Sequence, residues 1–127
     1  MSSKNDVPYD ALERIFHEPN RLAIMSSLAG SSGLTFGELK ELCGLTDGNL
    51  SRHLKTLEDS GVVVIKKRFI DRRPRTTVYL SDEGKKRFLQ YINALEQVLK
   101  QAAEQIQSSE IGEEARDAPF GAKLART

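Results

Sequence analysis

Two helix-start signals in close succession constrain this chain more than any other feature. Thr35 and Glu38 form a capping box, in which each side chain satisfies a free backbone N–H of the other residue. Thr46, shortly after Gly44, offers a second helix cap. The helix that follows has apolar residues at helical spacing and stops at a glycine: Leu50, Leu54, Leu57 and Gly61. Two short helices joined by a glycine-containing turn predict a helix-turn-helix.

The segments on either side are also helical in pattern. Residues 9–17 predict a short amphipathic helix, and Pro19 suits the first turn of a second helix that ends before Gly30 and Gly33. Ser81 caps a last helix without interior proline, which we expect to exceed about twenty residues. Its apolar seam comprises Phe88, Tyr91, Ile92, Leu95, Val98, Leu99, Ala102 and Ile106.

Between Gly61 and Ser81 the pattern changes from helix to strand. Residues 62–70 are rich in β-branched and basic side chains, and residues 76–80 again favour strand. Residues 71–75, with sequence DRRPR, are turn-like. We therefore predict a two-stranded hairpin with a charged tip, in a mainly α fold that ends in a long C-terminal helix.

Length and composition predict one globular domain. A chain of 127 residues with 39% hydrophobic and 29% charged residues suits one domain. We expect this domain at residues 9–107, with flexible segments at residues 1–8 and 108–127. The longest strongly apolar run, residues 62–65, is far shorter than the roughly 20 residues of a membrane helix. A single cysteine, Cys43, and a start unlike a signal peptide predict a reducing, cytoplasmic setting.

The net charge of +1 hides an uneven distribution, because basic residues outnumber acidic ones from Thr46 to Arg75. A helical wheel of residues 46–60 turns the leucines inward and a short polar, basic stripe outward. Arginine can bind guanine bidentately, asparagine can pair with adenine, and hydroxyls can hold phosphate. The candidate DNA contacts of this helix are Thr46, Gly48, Asn49, Ser51, Arg52 and Lys55. An ordinary solvated helix face is the alternative.

The hairpin adds a second cationic patch directly after this helix. Such a tip can follow phosphates and place an arginine in a narrow minor groove. Its candidate DNA contacts are Lys67, Arg68, Arg72, Arg73, Arg75 and Thr76. The alternative is an edge hairpin that charge protects from aggregation. The two patches together favour DNA binding more than either does alone.

These segments carry a family resemblance. The stretches LSRHLKTLEDSG (residues 50–61) and DRRPRTTVYLSDEG (71–84) closely resemble winged-helix DNA-binding domains of the MarR and ArsR type, and HEPNRLAIMSSLA (17–29) resembles their second helix. The resemblance covers most of residues 9–107. It implies a winged helix-turn-helix with a recognition helix at residues 46–60, a wing at residues 66–76 and flanking helices that form a homodimer. It also implies that Asp71 orients Arg73 at the wing tip.

The seam of the last helix predicts the partner surface. Its three- and four-residue steps resemble a coiled coil, and a small domain cannot easily cover so long a stripe. The candidate interface residues are Leu12, Ile15, Phe16, Phe88, Tyr91, Ile92, Leu95, Val98 and Leu99. Intramolecular packing alone is the alternative. A symmetric dimer predicts a pseudo-palindromic operator, because paired recognition helices address successive major grooves.

Other functions find little support. Metal-sensing ArsR-type repressors use paired cysteines, whereas this chain has only Cys43, His17 and His53 as soft ligands, so we expect neither a metal nor another cofactor. We expect Cys43 and His53 to pack rather than to react or ligate. No phosphate loop, nucleophile elbow or metal-helix motif predicts an enzyme. A winged helix that binds RNA or another protein is the rival hypothesis, and an unidentified small-molecule effector is left open.

Overall fold

A computed structural model describes the backbone of residues 9–116 and the side chains of residues 9–110. After a single 3-10 turn at Tyr9–Ala11, the elements in chain order are α1 (Pro19–Ala29), β1 (Leu34–Thr35), α2 (Phe36–Cys43), α3 (Asp47–Asp59), β2 (Val63–Ile70), β3 (Arg73–Leu80) and α4 (Asp82–Arg116). The segment predicted to be flexible at residues 1–8 lies outside the described residues. The mainly α architecture with a β-hairpin and a long last helix is confirmed.

The predicted helix starts are present as hydrogen bonds. Thr35 and Glu38 form the full capping box of α2, which ends at Gly44 in the left-handed conformation, with a φ of 65°. Thr46 caps α3, and the Glu18 side chain caps α1 next to Pro19. These local signals therefore place the helix-turn-helix where the sequence predicts it.

The two ends of the described chain correct the prediction. Residues 9–17 do not form an amphipathic helix, since only the 3-10 turn and a further turn at residues 14–16 are present. Helix α4 continues to Arg116 and so passes the domain end expected at residue 107. Residues 117–127, the rest of the predicted tail, lie outside the described residues.

The strands form an antiparallel sheet of three strands in the order β1-β3-β2. The hairpin register pairs Val63 with Leu80 at the base and Ile70 with Arg73 at the tip. The short β1 was not predicted and pairs Leu34 with Val78. The turn was predicted too long: only Asp71 and Arg72 join the strands, and Arg73–Arg75 belong to β3.

One apolar core joins the helices to the base of the sheet. It contains Phe16, Ile24, Met25, Leu28, Leu39, Leu50, Leu54, Leu57, Val62, Val63, Val78, Phe88 and Tyr91. The ring of Phe16 packs edge-on against Phe88, with 5.3 Å between the ring centroids, and at a tilt against Tyr91, with 5.4 Å between the centroids. Burial raises the pKa of the Tyr91 hydroxyl, whose oxygen lies 2.8 Å from Nδ1 of His17.

The start of α4 is tied to the end of α3 and the base of β2. Ser81 Oγ donates to the Gly61 carbonyl at 2.7 Å and accepts from the Gly84 backbone N–H at 2.8 Å. A Cβ at Gly84 would lie 2.0 Å from the Val62 carbonyl oxygen. Only glycine allows this approach, which holds the hairpin at a fixed position beside α3.

Arg87 makes a second tie at the same junction. Its guanidinium binds both carboxylate oxygens of Glu13, at 2.6 and 3.1 Å, and donates to the carbonyl of Ser60 at 2.9 Å. The hydrogen bonds with Glu13 raise the pKa of the Arg87 guanidinium above its ordinary value, so the guanidinium stays charged. The N-terminal turns, the end of α3 and α4 are thereby held together.

Candidate nucleic-acid interface

Helix α3 has one buried and one exposed face. Leu50, Leu54 and Leu57 are buried in the core. The opposite face exposes Gly48, Ser51, Arg52 and Lys55, while Asn49 is half-buried and Thr46 is exposed at the helix cap. The orientation that the helical wheel predicts is therefore confirmed, and the polar, basic stripe is open to solvent.

Hydrogen bonds within α3 organise the exposed stripe. Oγ1 of Thr46 accepts from the backbone N–H of Asn49 at 3.2 Å, which starts the helix. Arg52 Nη2 donates to Oδ1 of Asn49 at 2.8 Å. Because one guanidinium has five N–H donors, Arg52 keeps free donors while the Asn49 amide restricts its position. Asn49 and Arg52 therefore form one hydrogen-bonded pair rather than two independent side chains.

Two acidic residues neighbour the stripe through exposed ion pairs. Lys40 Nζ lies 2.9 Å from Asp47, and Lys55 Nζ lies 3.4 Å from Asp59. Exposed pairs of this kind contribute only about 0–1 kcal/mol to stability. A phosphate could therefore compete for Lys55 at little cost to the fold.

The buried face of α3 is supported by His53. The imidazole is 8% exposed, and its Nδ1 lies 3.4 Å from Nη1 of Arg21, whose Nε donates to the Ile15 carbonyl at 2.7 Å. The predicted packing role of His53 is confirmed. These contacts connect α3 to α1 and to the turn before α1. They hold in place the helix that carries the exposed stripe.

The hairpin tip closes through a strained turn. Asp71 has a φ of 52° and Arg72 a φ of 66°. A two-residue turn with positive φ at both positions matches the right-handed twist of the strands, but it favours Asn or Gly over arginine. Arg72 is therefore kept at a position that glycine would occupy with less strain.

The register separates the side chains of the hairpin onto two faces. Lys67 opposite Thr76 and Phe69 opposite Pro74 share the face that packs on the core at the hairpin base. The other face carries the cross-strand pair Arg68 and Arg75, followed by Arg73. Directly opposed like charges destabilise a hairpin, so this arrangement favours an anionic partner.

The cationic hairpin is not neutralised by the other side chains that the structure describes. Across residues 9–110, none of the predicted hairpin contacts takes part in an ion pair. Asp71, which is not one of these contacts, also makes no ion pair with Arg73 among the described residues, so the orienting contact that the resemblance implies is not seen there. All five of the predicted basic contacts are exposed, and Thr76 is half-buried.

The two predicted patches meet at one cleft. A depression of about 270 Å³ lies between α3 and the hairpin. Its lining includes Ser51 and Lys55 from the helix and Lys67 and Thr76 from the hairpin. Ser51 and Lys55 of the helix stripe and Lys67 and Thr76 of the hairpin therefore share one surface. The register places Arg68, Arg73 and Arg75 on the opposite face of the hairpin.

Sequence reasoning missed two features of this surface. Glu58 lines the cleft and places a negative charge beside the cations. Phe69 is 77% exposed among basic residues of the hairpin. The two-residue period of the strand could have found Phe69, because it puts the ring on the same face as Lys67.

No metal site accompanies this surface in the described residues, which contain no group of three or more His, Cys, Asp or Glu side chains able to hold an ion. Cys43 is half-buried, packs against the core and lies 3.9 Å from Oγ of Ser27.

Comparison with known proteins agrees with this geometry. The profile of the winged helix DNA-binding domain family matches residues 20–99, from α1 into α4. The chain belongs to this winged-helix family. The expected winged helix-turn-helix fold is thus confirmed, and the β2–β3 hairpin, which includes residues 66–76, is the wing of this fold.

Relatives and solved structures extend the match. An uncharacterized protein of Methanocaldococcus jannaschii is 39% identical over 87 residues, which cover 68% of this chain and 95% of the relative. A transcriptional regulator homologue from Pyrococcus horikoshii is 30% identical, with a TM-score of 0.69 over 74% of this chain and 94% of that one. MepR of S. aureus, solved with DNA, shares the fold at 16% identity, with a TM-score of 0.61 over 84% and 87% of the two chains.

The face of the winged helix predicted to meet a second copy is only partly available. Phe16, Phe88 and Tyr91 are at most 3% exposed within one chain, which corrects their assignment to a partner contact. Leu12, Ile15 and Leu95 pack partly against the same core, and Val98 is half-buried. The described part of α4 leaves an exposed apolar seam formed by Ile92, Leu99 and Ile106, with Leu89 beside it.

Among the described residues, no helix has both the length and the apolar character needed to cross a membrane.

Proposed function

We propose that this protein is a transcriptional regulator that binds double-stranded DNA at specific sequences, using α3 in the major groove and the wing on the backbone or minor groove. The observation that carries the proposal is the shared cleft, where Ser51 and Lys55 of α3 face Lys67 and Thr76 of the wing. One duplex can touch both patches at the same time.

The hydrogen-bonded pair of Asn49 and Arg52 supplies base readout in this proposal. Arg52 places its remaining N–H donors on guanine O6 and N7, while the amide of Asn49 holds the guanidinium and can address an adjacent base. Ser51, Lys55 and the cap at Thr46 bind flanking phosphates, since helix N-termini favour anions. The unpaired arginines of the wing add phosphate contacts and salt-dependent affinity.

We also propose that the regulator is a homodimer that reads a pseudo-palindromic operator. Ile92, Leu95, Leu99, Ala102 and Ile106 continue along α4 in alternating three- and four-residue steps, and most of this seam is exposed. A second α4 would cover it in coiled-coil fashion. Two recognition helices about 34 Å apart then reach successive major grooves. Sedimentation equilibrium of Leu99→Glu, compared with the parent chain, tests this assembly, and an unchanged dimer mass would contradict it.

A second cleft is the proposed binding site for a small-molecule effector. A cleft of about 220 Å³ lies between the end of α1, the end of β3 and α4, and it is lined mainly by apolar side chains such as Leu28 and Phe88. Lys85 is the one charged residue of its lining. An apolar acid fits this combination. Melting curves with small aromatic carboxylates test the fit, and a rise in melting temperature that survives Lys85→Ala would contradict a role for the ammonium.

The decisive experiment is selection from a random duplex pool. The parent chain is expected to enrich one two-fold-symmetric motif. Arg52→Ala should bind that motif about 1–3 kcal/mol more weakly and lose preference at one position, because a bidentate base contact is removed. Arg14→Ala, which removes an exposed arginine before α1, is the charge-matched control and should bind like the parent.

Failure to enrich any motif would contradict sequence-specific regulation. Equal or tighter binding to structured RNA would then favour the rival hypothesis of an RNA-binding winged helix. If Arg52→Ala and Arg14→Ala bind alike, the interface is misplaced. The proposed setting is the cytoplasm, where DNA is accessible to such a regulator.

A further inference from the structure

Large apolar side chains are exposed in the most basic part of the wing. Phe69 is 77% exposed and Ile70 41%. A single exposed apolar residue is ordinary on a protein surface. Here, however, the register sets the Phe69 ring directly opposite Pro74, so ring and pyrrolidine form one apolar step on the hairpin.

The step lies on the face of the hairpin that looks toward α3. Phe69 and Pro74 share this face with Lys67 and Thr76, which line the cleft between helix and wing. The aromatic ring therefore continues the shared surface from the cleft toward the tip. A duplex held by α3 would meet the ring where the wing reaches the neighbouring groove.

We propose that Phe69, supported by Pro74, is a minor-groove wedge that packs against deoxyribose and unstacks one base step of the bound duplex. The proposal rests on the proposed DNA-binding function and adds how the wing selects its site. Apolar wedges flanked by cations bend DNA by partial unstacking. Unstacking is least costly at flexible pyrimidine–purine steps, and arginines favour the narrow minor groove of A·T-rich DNA. The wedge therefore predicts preference for a TpA step in an A·T-rich flank.

Charge favours DNA over a second copy of this chain as the occupant. Lys67 shares the face of Phe69, while Arg68, next to it in sequence, and Arg73 are exposed on the opposite face of the same hairpin. None of these cations has an ion-pair partner in the described part of the chain. A second wing would bring the same positive charge to the contact. A polyanion instead neutralises the cations while its sugars and bases cover the ring.

Fluorescence of 2-aminopurine tests the wedge. The base is placed beside a TpA step in a short A·T-rich duplex, and beside a central step in a G·C-rich duplex of equal length. The parent chain should brighten the A·T-rich probe, since unstacking relieves quenching. Phe69→Ala should abolish the brightening and bind this probe about tenfold more weakly, the size expected for loss of one aromatic–base contact. Phe69→Leu keeps apolar bulk and should retain part of the signal.

Leu42→Ala is the matched control, because Leu42 on α2 is 64% exposed and lies outside the cleft. It should brighten and bind like the parent chain. Circular dichroism melts should show that Phe69→Ala folds normally, as its ring is mostly exposed.

Equal brightening and affinity for the parent chain and Phe69→Ala would overturn the wedge, even if selection from the random pool still returns a motif. A change in sedimentation mass with Phe69→Ala would overturn it in favour of a self-contact. A lower affinity of Phe69→Ala for phosphatidylglycerol vesicles with unchanged DNA binding would overturn it in favour of a lipid surface. Absence of a selected motif together with brightening of the A·T-rich probe would instead retain the wedge and reject sequence-specific regulation.

Discussion

The two ends of the hairpin are built in opposite ways. At the base, Val63 and Val78 are buried, and Ser81 and Gly84 bring α4 against the Gly61–Val62 backbone. At the tip, every side chain from Arg68 to Arg75 is exposed, two arginines face each other, and Arg72 has a positive φ. The packed base of the hairpin thus supports a tip that is itself destabilised by like charges and by backbone strain.

Stability and binding reside at different ends of the hairpin. Side chains at the base make contacts that fold the chain, and their loss should appear in the free energy of unfolding. Side chains at the tip make few internal contacts, so their loss should appear mainly in DNA affinity. Mutations matched between the two ends can separate these expectations.

The largest effect is expected at the base, for Gly84→Ala. The added Cβ would lie 2.0 Å from the carbonyl oxygen of Val62 and 2.8 Å from its carbonyl carbon. Backbone atoms cannot give way as a flexible side chain can, so α4 must shift away from the hairpin. We expect a loss of about 3 kcal/mol or more in the free energy of unfolding, measured by urea denaturation.

Gly37→Ala is the control for this prediction. Gly37 is exposed in the first turn of α2, and a Cβ there would have no heavy atom within 4 Å. Better helix propensity should stabilise this variant by up to about 1 kcal/mol. If both alanine variants unfold at the same urea concentration, the close approach of α4 to Val62 is wrong.

Sequence patterns correctly predicted helices α2 and α3, because the signals that start and space them are local. Capping at Thr35 and Thr46 and the leucine spacing of α3 need only neighbouring residues. Strand β1 was missed because a two-residue strand has no alternation of its own and depends on its distant partner in β3. The end of α4 was missed because residues 108–116 lack an apolar period and include Gly112, although no proline interrupts them.

The candidate DNA-binding surface was predicted only in part. A helical wheel identifies which face of α3 is exposed, and the run of arginines identifies the wing. Periodicity finds an apolar stripe but cannot say what covers it, so Phe16, Phe88 and Tyr91 were assigned to a partner although they pack on one another. The shared cleft depends on how the hairpin twists relative to α3, which only the folded chain reveals. The two-residue period of β2 could have placed Phe69 on the face of Lys67.

A second, smaller contrast compares one arginine from each region. Arg87→Ala removes the bidentate contact to Glu13 and the hydrogen bond to the Ser60 carbonyl, and it leaves a half-buried carboxylate without its partner. We expect a loss of about 2–3 kcal/mol in the free energy of unfolding. Arg73→Ala at the tip should change stability by less than about 0.5 kcal/mol.

Salt titrations of DNA binding complete this comparison. Arg73→Ala should reduce the salt slope by about one unit, because one phosphate contact is lost. Arg87→Ala, measured at a temperature where it is folded, should keep the slope of the parent chain. A reduced slope for Arg87→Ala, or a parent-like slope for Arg73→Ala, would contradict the division between a folding base and a binding tip.

The smallest expected effect has the opposite sign and lies at the turn. Arg72→Gly removes a side chain from a residue with a φ of 66°, a conformation that glycine adopts without the cost paid by arginine. Relief of strain exceeds the added freedom of the unfolded chain only slightly, so we expect a gain of about 0.5 kcal/mol. The lost charge should weaken DNA binding severalfold in low salt.

Arg72→Ala separates these two consequences. Alanine loses the same charge but keeps the unfavourable backbone conformation, so it should weaken binding equally without the gain in stability. A melting temperature that rises for Arg72→Gly and not for Arg72→Ala would show that the backbone at this turn is strained. The turn would then carry the positive charge of Arg72 although a glycine there would be more stable. If glycine instead lowers the melting temperature, the Arg72 side chain stabilises the tip, and the contrast between the two ends of the hairpin is weaker than the contacts indicate.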